Sequence, residues 1–79
     1  MRVLLFGRLA ETAGWREKEV TASASLADLK AHLTQVWPEL GAALNGRGVQ
    51  AAVDKVVVAG DLSLTPDSEV AFLPPMSGG

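Results

Sequence analysis

Glu69-Val70-Ala71-Phe72-Leu73-Pro74-Pro75-Met76-Ser77-Gly78-Gly79 is the segment that decides how this 79-residue chain is read. Val70 to Leu73 is a continuous apolar run, the pattern of a strand with apolar surroundings on both faces. It leads straight into two prolines, whose rings fix φ and push the preceding residues toward extended backbone. The two glycines that follow lack a β-carbon and are slim and conformationally open. Six extended residues reach roughly 20 Å. The segment reads as a strand, a stiff stalk and an open tip, with a carboxylate on Gly79.

A second continuous apolar run, Val3 to Phe6, ends at Gly7 and reads as another buried strand. Leu9 to Ala13 suits one helical turn stopped by Gly14. The stretch Arg16-Glu17-Lys18-Glu19-Val20-Thr21 is mostly charged, as in an edge strand guarded against pairing with other chains. Ser25 is a good helix N-cap, with Asp28 in the first turn to complement the helix dipole. Leu26, Leu29, Leu33 and Val36 then mark one apolar stripe, and Trp37-Pro38 ends that helix. Glu39 to Gln50 holds Gly41, Gly46, Gly48 and the pair Asn45-Gly46, and reads as a loop. Val49–Val53 and Val56–Ala59 are apolar runs joined by Asp54-Lys55, a two-residue hairpin turn. Leu62 to Leu64 passes into a turn at Thr65-Pro66-Asp67-Ser68.

Two continuously apolar strands, one first and one last, belong side by side and parallel in the middle of a mixed sheet. A crossover helix must then join the halves. The expected class is α+β, a β-grasp (ubiquitin-like) fold with four to five strands around one main helix. Residues 1–73 form the domain and 74–79 the extended tail. One helix covers only one face of such a sheet, so the apolar second face needs a cover. Trp15 or Trp37 could provide it, but a partner protein is the favoured cover.

Composition narrows the function. The net charge is −2 with no basic run, which argues against a cationic face for nucleic acid. No apolar run approaches membrane-spanning or leader length, and the cytoplasm is the expected compartment. Cysteine is absent, which excludes side-chain persulfide chemistry, disulfides and thiolate metal sites. His32 stands alone with no second ligand, and the acidic residues fall in separate turns. The candidate reactive group is therefore the Gly79 carboxylate, activatable as an acyl-adenylate that sulfur or an amine can attack.

On these residues the chain resembles the small subunits of molybdopterin synthase, a family of ubiquitin-like sulfur carriers. The likeness covers the whole chain: the strand through Phe6, Leu9-Ala10-Glu11-Thr12-Ala13-Gly14, Ser25 to Leu33, Ala52-Val53-Asp54 and Leu64. It is most specific at Glu69-Val70-Ala71-Phe72, Pro74-Pro75 and Gly78-Gly79. Asp54 stands where the family commonly has Asn, and Asp67-Ser68 where it has Gly-Asp. The resemblance implies that an adenylating (E1-like) enzyme uses ATP to activate Gly79, which becomes a thiocarboxylate. It also implies that the chain itself binds no cofactor and no metal. The tail, Pro74, Pro75, Met76, Ser77 and Gly78, then threads into the large synthase subunit, where sulfur passes to a pterin precursor. Phe72 and Leu73, with Phe6 beside them, are the expected docking surface. A thiamine-pathway sulfur carrier, a ubiquitin-like modifier and a plain interaction module stay open as alternatives.

Overall fold

Parallel pairing of the first and last strands sets the architecture. The computed structural model describes residues 1–20 and 23–75. The elements run β1 (Arg2–Leu5), α1 (Arg8–Ala13), β2 (Glu17–Glu19), α2 (Leu26–Val36), α3 (Pro38–Leu44), β3 (Gln50–Val53), β4 (Val56–Val58) and β5 (Glu69–Leu73). Among the described residues the strands form one five-stranded sheet in the order β2-β1-β5-β3-β4. β5 lies at its centre, parallel to β1 and antiparallel to β3. This is a β-grasp fold.

The register places Val3 beside Val70 and Leu5 beside Phe72, with Ala51 and Val53 continuing those rows. Because side chains alternate along a strand, these residues share one face. That face packs on Leu26, Leu29 and Leu33 of α2 and Leu40 and Leu44 of α3. Val3, Leu29, Leu33, Leu40, Val70 and Phe72 are each fully buried. Burying side chains of this size contributes about 1.5–3 kcal/mol apiece.

Local signals explain the connections. The Ser25 hydroxyl accepts from the Asp28 amide at 3.2 Å, capping α2. Asp61 Oδ1 accepts from the amides of Ala27 and Leu62 at 2.8 and 2.9 Å, tying the same helix start to a distant turn. Gly14 closes α1 in the left-handed conformation. Asp54 and Lys55 turn the β3–β4 hairpin at φ 50° and 72°. Leu62 to Leu64 makes a single bridge, Ser63 with Ser25, and Leu64 is buried.

The segment from Glu39 differs from expectation, since Pro38–Leu44 is helical. Pro38 sits at the helix start, where a missing N–H costs nothing and its φ is already helical. Leu40 and Leu44 then share one face and bury it. Gly41, which read as a breaker, lies against α2: a β-carbon there would overlap Thr34, lying 2.6 Å from its Cβ.

Trp15 and Trp37 do not cover the open face of the sheet. Both rings pack against the core cluster, with centroids 5.2 Å apart, and Lys18 Nζ stands 5.7 Å from each. Among the described residues no helix is long and apolar enough to cross a membrane.

Candidate functional site: the open sheet face and the stalk

Residues whose side chains point away from the helices build the site. One row across the sheet reads Glu17, Leu4, Ala71, Ala52 and Val57. The adjoining row toward the start of β1 carries Glu19, Arg2 and Glu69. Arg2 reaches Glu17 at 3.4 Å and Glu69 at 3.5 Å. These pairs are largely exposed and add little stability, but they make that end of the face polar. The opposite end is mainly apolar, with Leu73 half-buried, Phe6 47% exposed and Gln50 opposite Leu73. At the β4 end of the middle row, Val57 is 55% exposed.

The stalk leaves at this apolar end. The Phe6 amide donates to the Phe72 carbonyl at 3.3 Å, so pairing of β1 with β5 continues to the last residues of the strand. Pro74 is half-buried and Pro75 exposed. At the other end of β5, the Glu69 amide donates to Asp54 Oδ1 at 3.0 Å, and the Asp54 amide to the Glu69 carbonyl at 2.8 Å. Both ends of the strand that carries the stalk are therefore tied down.

The structure brings Phe6 and Leu73 to one exposed end of the face, next to Pro74. Phe72 is corrected: its ring is 0% exposed and belongs to the core. Its expected docking role followed from position beside Leu73, whereas alternation turns the two side chains to opposite faces. Met76, Ser77, Gly78 and Gly79 lie outside the described residues. Leu4, Ala71 and Val57 belong to the face and did not stand out in sequence. Only the cross-strand register separates them from their core-facing neighbours. Among the described residues there is no cluster of His, Cys, Asp or Glu able to hold a metal ion.

The fold and this face define a class of protein: a ubiquitin-like β-grasp domain whose central strand extends into a stalk beside an open apolar patch. The chain belongs to the ThiS family, whose model matches residues 3–79. It is 34% identical over 80 residues to the molybdopterin synthase sulfur carrier subunit of Escherichia coli K12, with 100% of this chain and 99% of that protein covered. Among solved structures it is similar to the small archaeal modifier protein SAMP1 of Haloferax volcanii. That match has a TM-score of 0.86 and 26% identity, covering 100% of this chain and 98% of the other. SAMP1 of Methanosarcina acetivorans shares the fold at a TM-score of 0.85 and 23% identity, covering 99% and 94%.

Proposed function

We infer that this chain is a sulfur carrier and acts as the small subunit of a molybdopterin synthase. The observation that carries the reading is the end-to-end likeness to the E. coli carrier subunit. The Gly79 carboxylate attacks the α-phosphate of ATP within an adenylating, E1-like enzyme and displaces pyrophosphate. A sulfur nucleophile then displaces AMP from the acyl-adenylate, leaving a thiocarboxylate. The tail enters the active site of the large subunit and gives its sulfur to a pterin precursor. With no cysteine in the chain, sulfur travels on the backbone terminus.

Each part of the site has a place in this cycle. Leu73 and Phe6, joined by Leu4, Ala71 and Val57, form the apolar docking surface for the large subunit and the activating enzyme. Pro74 and Pro75 hold the tail away from the domain, and Met76, Ser77 and Gly78 thread the partner's channel. Small residues at 78 and 79 keep the entering end narrow.

Intact mass spectrometry after incubation with ATP, sulfide and the cognate adenylating enzyme tests the reading. A gain equal to exchanging one oxygen for sulfur, lost on deleting Gly79, is expected. An unchanged mass, with the enzyme active on another carrier, sinks it. Conversion of a pterin rather than a thiazole precursor then separates the molybdopterin pathway from the thiamine one. A second reading, a protein modifier joined to lysines through Gly79, is favoured by the H. volcanii match, whose 26% identity spans the full chain. It predicts isopeptide adducts on other proteins.

A further inference from the structure

Two glycines far apart in sequence stand against the stalk. A β-carbon on Gly7 would lie 3.0 Å from Cγ of Pro74, and one on Gly48 would lie 2.8 Å from Cβ of Pro75. Carbon atoms in good contact sit about 3.5–4.0 Å apart. A side chain at Gly7 would press on the Pro74 ring, which would have to give by a few tenths of an ångström, and one at Gly48 would force Pro75 to shift.

The topology explains the meeting. β1 runs parallel to β5, so its last residues lie beside the end of β5; β3 runs antiparallel, so the residues that precede it lie there too. Leu5 pairs with Phe72, and the same register carried two residues on sets Gly7 against Pro74. Gln50 pairs with Leu73, and two residues back along the chain Gly48 meets Pro75. Prolines have no N–H to donate to a neighbouring strand. Ring packing therefore takes a larger share in directing the stalk.

We propose that Gly7 and Gly48 are positioning residues for the tail. Together they form a slot, open because both lack a β-carbon, that seats the rings of Pro74 and Pro75 and aims residues 76–79 at a partner. The purpose of the slot rests on the carrier reading above; its geometry does not.

Positive φ alone would also favour glycine here, at +57° for Gly7 and +83° for Gly48. The molecule holds its own controls. Gly14 and Gly60 have φ of +85° and +80° with nothing within 4 Å of an added β-carbon. Alanine at any of the four strains the backbone, whereas only at Gly7 and Gly48 does it also strike the stalk.

The experiment uses the full chain in eight forms: Gly7→Ala, Gly48→Ala, Gly14→Ala, Gly60→Ala, Pro74→Ala, Pro75→Gly, and the doubles Gly7→Ala/Pro74→Ala and Gly48→Ala/Pro75→Gly. The doubles remove the atoms that the new β-carbons would meet. Amide NMR shifts of residues 76–79 should move in G7A and G48A and stay in place in G14A and G60A. In sulfur transfer with the large subunit, the same two variants should raise KM roughly tenfold with kcat within about twofold. Each proline variant should itself move the tail, and each double should move it less than the two single effects added together. Tail shifts in G7A and G48A no larger than in the two controls would overturn the slot. So would doubles whose tail shifts are the full sum of those of their two single substitutions. If either single variant fails to fold, wild-type NOEs from Gly7 Hα to the Pro74 ring and from Gly48 Hα to the Pro75 ring decide, and their absence overturns it. The expected tail shifts in a chain that accepts no sulfur would uphold the slot and defeat the carrier reading instead.

Discussion

Phe72 and Leu73 are sequence neighbours that face opposite ways, and a substitution at each tests a different property. Truncating the fully buried Phe72 to alanine removes a ring from the core, and F72A should lose about 3–5 kcal/mol of unfolding free energy in urea titration. Leu73→Asp should keep the fold, seen as unchanged far-ultraviolet circular dichroism. It should weaken large-subunit binding at least roughly tenfold, about 1.4 kcal/mol, by calorimetry. Binding unaffected by L73D would remove the apolar end of the face from the interface. The run Val70 to Leu73 explains why sequence could locate this site without dividing its residues between faces. All four positions are apolar, so no alternation marks which side chains point inward. The division needed the partners, above all Arg2 beside Glu69 on the open face.

At the scale of elements, the hairpin turn and α3 show where local rules suffice. Asp54-Lys55 was legible as a turn from its setting between two apolar runs, and the positive φ of Asp54 suits Asp or Asn. Asp54 also accepts from the Glu69 amide. D54N should therefore be within about 0.5 kcal/mol of wild type and D54A about 1–2 kcal/mol less stable. A D54A stability within about 0.5 kcal/mol of wild type in thermal melts would deny the Asp54 side chain its role in holding β5. The helix α3 was hidden by Gly41 within it and by Asn45, Gly46 and Gly48 just beyond, which read as breakers, while Pro38 was read only as the end of α2. Gly41 lies in a helix, where propensity favours alanine by about 1 kcal/mol. Contact with Thr34 reverses the sign: G41A should be destabilised, and G41A/T34G should be less so than the sum of its parts. A more stable G41A would mean that α2 and α3 can move apart at little cost. Packing between two helices is a tertiary fact, which is why no local pattern announced it.

Over the whole molecule, the two edges of the sheet differ in character. β2 ends the sheet with Glu17, Lys18 and Glu19, whose charges oppose pairing with another strand. β4 ends it with three valines, of which Val56 and Val57 are 63% and 55% exposed. An uncharged apolar edge invites self-association. Sedimentation velocity should show a mean mass rising with concentration for the wild-type chain and a constant monomer mass for V57K. Identical behaviour would show that the β4 edge is protected by some other means. The parallel β1–β5 pair was legible because both strands carry continuous apolar runs, Val3 to Phe6 and Val70 to Leu73, and it set the rest of the order.

That central placement of β5 has a mechanical side. A partner that draws the stalk into its site pulls along the axis of β5, and ladder hydrogen bonds lie across that axis. The load falls on the pairings with β1 and β3 together, in shear, instead of peeling them one at a time. A tail borne on β4, at the margin of the sheet, would put the same tension on one pairing, that with β3. The central strand lets the domain act as a handle that can be tugged hard by its tail and stay folded.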